Sequence, residues 1–306
     1  MHDRRGDRRD ARVRTPLDRT RARAGAALLS PAATVLTLTT LLPLLVAFGL
    51  SFFRYDMLSA PAFVGVRNYT STFADGSFWA AIGHTLYFAG VQVPVGAVLA
   101  LAAALLLNQR IAGRDVYRTL VYLPQAASYV VVALIWSFLY DPQVGPVDAL
   151  LRAAGGPSLP WLTSTHLAMP ALILMSVWRN LGYFMVIFLA GLQGIPRELY
   201  EAAAVDGASA VARFRHVTLP LLRPVTGFVL ITWFLGALQM FVQAYVMTGG
   251  GPVDATTTVV YRIYDDAFKF LQVGRASAVA VVLFVVVAVV SLLTRRVTRR
   301  ARGFAG

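Results

Sequence analysis

The sequence predicts an all-α integral membrane protein, with six transmembrane helices and a two-helix coupling loop on the cytoplasmic side. Three observations carry that prediction. Hydrophobic residues make up 57% of the 306 and charged residues only 14%, against about 25% charged in ordinary soluble domains. The charges fall in short runs separated by long stretches with none. Those stretches reach the roughly 20 apolar residues that a helix needs to cross the hydrocarbon core. Backbone groups in lipid must be satisfied within the segment, so spans of this kind are expected to be helical.

The spans follow in order from intervals free of Asp, Glu, Lys and Arg. Thirty such residues lie between Arg23 and Arg54, 34 between Asp75 and Arg110, and 22 between Arg118 and Asp141. From Ala153 to Pro196 the only charge is Arg179. Thirty more lie between Arg223 and Asp254, and 19 between Arg275 and Arg295. The expected spans are therefore near 30–53, 78–108, 117–139, 168–192, 219–247 and 276–294. The first has the basic flank of a secretory signal, but its apolar run is too long and no small-residue cleavage site follows. A retained helix is expected there. Residues 1–26 read as a disordered basic tail in which Arg and Asp alternate. Residues 27–302 read as one six-helix domain and 303–306 as a short tail.

The basic residues orient the chain. With the N-terminus inside, the inner segments hold twenty-one arginines: nine in 1–23, three near 110–118, four in 197–223 and five in 295–302. The outer loops hold six basic residues: Arg54, Arg67, Arg152, Arg262, Lys269 and Arg275. Both termini are expected in the cytoplasm, with the protein multi-pass in the plasma (inner) membrane.

Composition also excludes. The net charge of +13 suits anionic lipid better than nucleic acid, because the arginines flank apolar spans instead of forming one soluble stripe. There is no cysteine, and His2, His84, His166 and His216 are scattered without ligand spacing. No metal, cofactor or clustered catalytic set is expected, so the chain is not read as an enzyme. A phosphate-cradling GxxxxGK[ST] loop needs a lysine after its second glycine, and the sole lysine, Lys269, follows Phe268. Acidic residues all lie in loops or at span ends, which disfavours a stand-alone proton-driven transporter.

The most informative stretch lies between spans four and five and reads GIPRELYEAAAVDGASAVARFRHVTLPLLRP, from Gly194 to Pro224. Pro196 suits a first helical position. Glu198 and Glu201 sit near the positive end of the helix, and Leu199, Ala202 and Ala203 give an apolar face. Asp206 and Gly207 mark the stop, with glycine free to adopt a left-handed terminus. Ser209 can cap a second helix, which Pro220 is expected to end. A rigid helical elbow spanning 194–220 could dock on a soluble partner and pass its motion to the spans. The alternative is an interfacial loop with helical propensity.

EAAAVDGA followed by LPLLRP resembles the EAA loop of permease subunits in ABC importers. YRTLVYLP at Tyr117–Pro124, SVWRNLGYFMVIFLAGLQGIP at Ser176–Pro196, VMTGGGP at Val246–Pro252 and GRASAVAVVLF at Gly274–Phe284 are similar to its carbohydrate-uptake branch. FVGVRNYTSTFAD at Phe63–Asp75 is similar to the stretch after that branch's first helix. The resemblance covers nearly everything from 30 to 295 and leaves out the Arg/Asp tail. It implies a sugar or oligosaccharide permease; glycerol-3-phosphate or a polyol is the alternative cargo. It further implies a second permease as heterodimer partner, two ATPase subunits that hydrolyse the ATP, and an extracytoplasmic solute-binding protein. By the same resemblance Glu201, Ala202, Ala203, Asp206 and Gly207 form the ATPase-coupling helix and its bend. Glu201 then faces a basic partner, and Leu219 and Pro220 set the return into the membrane.

Polar groups inside the spans are candidates for the translocation pathway: Arg179 near mid-span, with Asn180 and Tyr183 beside it. Gln239 and Gln243 lie four apart, hence on one face of an unbroken helix, on the span that also carries Trp233 and Tyr245. Hydrogen-bonding groups beside aromatic faces suit sugars. The competing roles are structural: an arginine held by carbonyls, or glutamines that glue helices together. Thr248 to Pro252 is expected to be non-helical.

Overall fold

A computed structural model of the chain describes residues 16–109 and 111–302. Residues 1–15 of the expected tail, and the tail at 303–306, lie outside the described residues. The chain divides into two compact units that meet between Gly49 and Leu50. The first holds α1 (Pro16–Leu36), a π turn at Thr37–Leu41 and most of α2 (Leu42–Leu50). Residues Ala27–Leu50 form a 24-residue apolar stretch long enough to cross a membrane. The expected disordered segment is therefore too long at its C-terminal end, because residues 16–26 lie in α1.

The second unit opens with a short hairpin. β1 (Phe53–Arg54) pairs antiparallel with β2 (Ala62–Phe63), placing Phe53 opposite Phe63. The Asn68 amide, on α3 (Arg67–Phe73), donates to the carbonyls of Ser51 at 2.8 Å and Phe53 at 2.9 Å and pins the hairpin down.

The core is built on two long helices, α4 (Gly76–Leu107) and α8 (Ala168–Gln193). On α4, Ala89, Ala97, Ala100 and Ala104 are buried, a seam of small residues three, four and eight apart that lets a neighbouring helix approach closely. From α8, Leu172, Met175, Met185 and Phe188 pack into the same core. The C-terminal ends of the two helices line one cavity, so they run parallel.

By length and composition, four helices among the described residues can cross a membrane, or up to six if each of two bent pairs counts as one span. The third expected span is such a pair. α5 (Arg114–Ala126) and α6 (Tyr129–Leu139) meet at 100°. Ala127 and Ser128 are extended, and the Ser128 hydroxyl accepts from the Val131 amide to start α6. The fifth is the other. A helix from Ala210 to Leu221 bends by 65° into α12 (Arg223–Ala237). This helix comprises α10 (Ala210–Arg213), a π turn at Phe214–Thr218 and α11 (Leu219–Leu221). The span expected to run to 247 breaks after Ala237 and resumes as α13 (Val242–Met247). A charge-free interval reports apolar length and is blind to straightness.

Between these lie α7 (Pro146–Ala153) and α9 (Arg197–Val205); α14 (Val259–Tyr264) and α15 (Val273–Arg302) complete the unit. Opposite the Gln193 end sits a charge cluster. Asp75, the N-cap of α4, receives Arg262 at 2.9 Å and also Arg275, while Arg262 pairs with Asp266 at 3.0 Å. Burial pushes the Asp266 carboxyl above its usual range, against the pull of Arg262 and Arg275. Burial pushes Asp75 the same way, but the Ser77 hydroxyl and amide, with Arg275 and Arg262, outweigh it and hold that carboxyl well below. Asp75→Asn should therefore destabilise the detergent-solubilised protein at pH 7 by about 2 kcal/mol for lost charge-assisted bonds, seen as a lower thermal midpoint. The ionised form is the one the fold favours, so the wild-type advantage should shrink as pH falls through and below the ordinary carboxylate range. Equal midpoints at pH 7 would show that the cluster holds nothing together.

Candidate functional site

Two places gather the residues singled out by the sequence. The first is the elbow at 194–222. Helix α9 starts at Arg197, with Pro196 as its extended cap, so the proline stands one position before the first turn. The helix ends in a complete Schellman motif. Gly207 donates its amide to Ala204 at 3.1 Å and Ala208 donates to Ala203 at 2.9 Å. Asp206 is the C-cap and Gly207 has φ +77°, a left-handed conformation that suits glycine. Ser209 caps α10 through its hydroxyl, which accepts from Ala212.

Pro220 does not end the second helix as expected. The helix runs on through Leu221, and the bend comes at Leu222. The π turn just before Pro220 widens the helix and relieves the clash of the ring with the preceding turn. The face of α9 that turns inward also differs from the expected one. Tyr200 and Ala203 are half-buried, and the Tyr200 hydroxyl lies 3.0 Å from that of Thr218. Leu199 and Ala202 are exposed with Glu198, Glu201 and Val205. That outward face is two carboxylates around an apolar centre, and Val205 is 89% exposed. Leu219 is 41% exposed on the same elbow.

The second place is a cavity of about 240 Å³ bordered by α4, α5, α6, α8, α12 and α13. It lies where two helices break. Gln125 and Tyr129 flank the α5–α6 break, and Gly236, Ala237 and Gln243 flank the α12–α13 break. Irregular backbone at membrane depth is tolerated where it is buried in protein or lines a cavity.

Arg179 is 7% exposed and holds one break in shape. Its guanidinium donates to Gln125 Oε1 at 3.0 Å and to the Ala127 carbonyl at 3.0 Å, replacing a helical partner lost at the bend. The same group lies 3.7 Å over the Tyr129 ring, a cation–π contact. Asn180 Nδ2 donates to the Tyr129 hydroxyl at 2.9 Å and to the Ser176 carbonyl at 2.8 Å. Gln243 Nε2 donates to Ser176 Oγ at 3.2 Å. One polar network thus ties α5, α6, α8 and α13 together. Gly182 lets the backbones meet: a Cβ there would stand 2.2 Å from the Val121 carbonyl oxygen of α5.

Arg179, Asn180 and Gln243 therefore meet in the cavity, and Gln239 and Tyr183 do not line it. The break in the fifth span separates the two glutamines, leaving Gln239 exposed and Gln243 buried, so they share no helical face. Tyr183 is 37% exposed and turns its ring against Phe184. Gln92, Gln125 and Tyr129 were missed by the sequence reading, although each is a polar side chain inside a charge-free interval. Trp233 stacks on Phe184 at 4.1 Å between ring centroids and 10° between planes, with Gly96 against its indole edge. Three buried polar atoms of the cavity's residues have no protein partner: Gln92 Oε1, Arg179 Nε and Trp233 Nε1. They are one acceptor and two donors, each shut away from the cavity's open space in this conformation. Among the described residues no His, Asp and Glu group could hold a metal.

Residues 92–303 match the family described as the binding-protein-dependent transport system inner membrane component. The chain is 35% identical to the trehalose/maltose transport system permease protein MalF of Thermococcus litoralis, over 92% of this chain and 95% of that one. It is 36% identical to the sulfoquinovosyl glycerol transport system permease protein SmoG of Agrobacterium fabrum, covering 89% of each. The sn-glycerol-3-phosphate transport system permease protein UgpA of Yersinia pestis is 37% identical over 78% of this chain and 81% of its own. Among solved structures, a chain of a bacterial alginate ABC transporter, crystallised with an alginate pentasaccharide-bound periplasmic protein, superposes with a TM-score of 0.82. At 24% identity, covering 94% of this chain and 98% of that one, the likeness speaks to the fold.

Proposed function

The chain belongs to the family of binding-protein-dependent transport system inner membrane components, and on that premise we propose how it works in a sugar importer. It is the transmembrane permease subunit, moving a sugar or oligosaccharide across the plasma membrane by alternating access. The observation that carries the mechanism is the cavity at the two helix breaks, with its three unpaired polar atoms and the Trp233 indole. Once the helices part, hydroxyl groups of a sugar can both donate to Gln92 and accept from Arg179 and Trp233. At about 240 Å³ the cavity falls below the roughly 300 Å³ at which small-molecule sites usually begin. Passage therefore needs the surrounding helices to part.

The force comes from outside the chain. A separate pair of ATPase subunits seats the exposed face of α9, with Glu198, Glu201 and Val205 meeting a basic, apolar-floored groove. Closure of the ATPases moves the elbow, and the 65° bend at Leu222 passes that movement into α12, which carries Trp233. The shift is driven by the differential affinity of ATP for the two states. A second permease and a solute-binding protein complete the assembly. The elbow and both termini lie on the cytoplasmic side, a reading supported by the arginine asymmetry. The segments after α4 and α8, both arginine-bearing, also share one end of the parallel pair.

The test is uptake by the reconstituted importer. Gln92→Met should cut sugar transported per ATP hydrolysed by about five-fold, the worth of one hydrogen bond of about 1 kcal/mol, with binding-protein-stimulated ATP hydrolysis retained. Trp233→Leu should do the same or more. Full coupled uptake in both variants would remove the cavity from the pathway.

A further inference from the structure

A cavity of about 610 Å³ lies at the Gln193 end of the bundle, between the ends of α4 and α8, the start of α5 and the start of α9. Its polar lining is Asn108, Gln109, Gln193, Tyr200, Arg114 and Arg197, with two guanidinium groups and no carboxylate among them. Arg114 is half-buried and shares Asp115, at 3.6 Å, with Arg118, which stands 3.4 Å from the same carboxylate. Arg197 has no ion-pair partner among the described residues. The local balance is positive, and two guanidinium groups that each present a planar fork suit the oxygens of a phosphate.

Depth decides what kind of phosphate. Helices α4 and α8 are the two longest apolar spans of this unit, ending at Leu107 and Gln193, and the cavity begins at the residues just beyond both. That is the level of lipid headgroups. The outward face of α4 also carries an exposed apolar row, Val95, Leu99, Ala102 and Leu106. Its helical spacing leads up to Gln109 in the cavity. An acyl chain lying along that row would bring its headgroup to the arginines.

We propose that the cavity between Arg114 and Arg197 binds the phosphate of an anionic membrane lipid, whose acyl chain lies along Val95, Leu99 and Leu106. Arg197 is the first residue of α9, so bound lipid would fix where the elbow starts and make coupling sensitive to membrane composition. This assignment rests on membrane embedding and stands apart from the choice of cargo.

The test uses the full chain purified in a neutral detergent and offered an equimolar mixture of dioleoyl phosphatidylglycerol and dioleoyl phosphatidylcholine. Lipid retained after size exclusion is read by mass spectrometry. The wild type should retain phosphatidylglycerol over phosphatidylcholine by about thirty-fold, the scale set by two arginines at a membrane surface. The R114Q/R197Q variant should bring the ratio close to unity, with its elution volume as a check on folding. R197Q alone alters an exposed residue and should lower the ratio part-way. R67Q, on α3, should leave it unchanged. Equal retention by the wild type, or a preference that survives in the double variant, overturns the proposal. Displacement of phosphatidylglycerol by millimolar inorganic phosphate would assign the site to a free anion and overturn the lipid source. Loss of the preference on assembly with the ATPase would give the arginines to a protein partner and overturn it as well.

Discussion

Gly207→Pro should leave the chain in the membrane and assembled while ATP-driven uptake falls to background. The bend at Gly207 is held at φ +77°, and the proline ring fixes φ near −65°. Proline also lacks the amide that Gly207 donates to Ala204. Strain and the lost bond together cost about 3 kcal/mol at that point. The cost falls on an exposed turn, where a Cβ at Gly207 meets nothing within 4 Å, so the core beneath α9 is spared. What changes is the direction in which α9 leaves the elbow. Glu201→Lys tests the same contact without touching the backbone, by reversing charge on the outward face. Both variants should keep membrane insertion and basal ATP hydrolysis and lose the link between hydrolysis and sugar entry. Normal uptake in either would remove the elbow from the drive train.

Arg179→Ala should lose both stability and transport. It strands Gln125 Oε1 and the Ala127 carbonyl and removes the cation over Tyr129. Bonds from a charged donor are worth about 1.5–3 kcal/mol each, so a net loss of about 3 kcal/mol is expected, seen as a lower thermal midpoint. Because Arg179 fixes the 100° break between α5 and α6, uptake should fall further than insertion or assembly. Arg179→Lys keeps the charge but cannot reach both acceptors at once, and it should recover part of each loss. An alanine variant as stable as the wild type would show that the break holds its own shape.

The amino-acid sequence made the apolar spans and the elbow legible for one physical reason: each is written locally. A charge-free interval is a continuous property of the chain. Asp206-Gly207 and Ser209 specify a stop and a cap through their own side chains and backbone freedom. The helix breaks were not legible, because Pro124 and Pro220 each lie inside a helix, and the bends fall two to four residues later. Nor was the cavity. Gln92, Arg179 and Trp233 come from three helices, and the chain says nothing local about which of its polar residues will meet. Gln239 and Gln243 failed for the same reason in reverse, since neighbours on an ideal helix part company once the helix is interrupted.

Gly182 has a mechanical consequence. With α8 laid so close to the α5 backbone that even a methyl group would collide with it, any side chain at 182 would have to push the two rods apart. Their spacing, and with it the reach of Arg179 to Gln125 and Ala127 across the break, is set by the absence of one carbon.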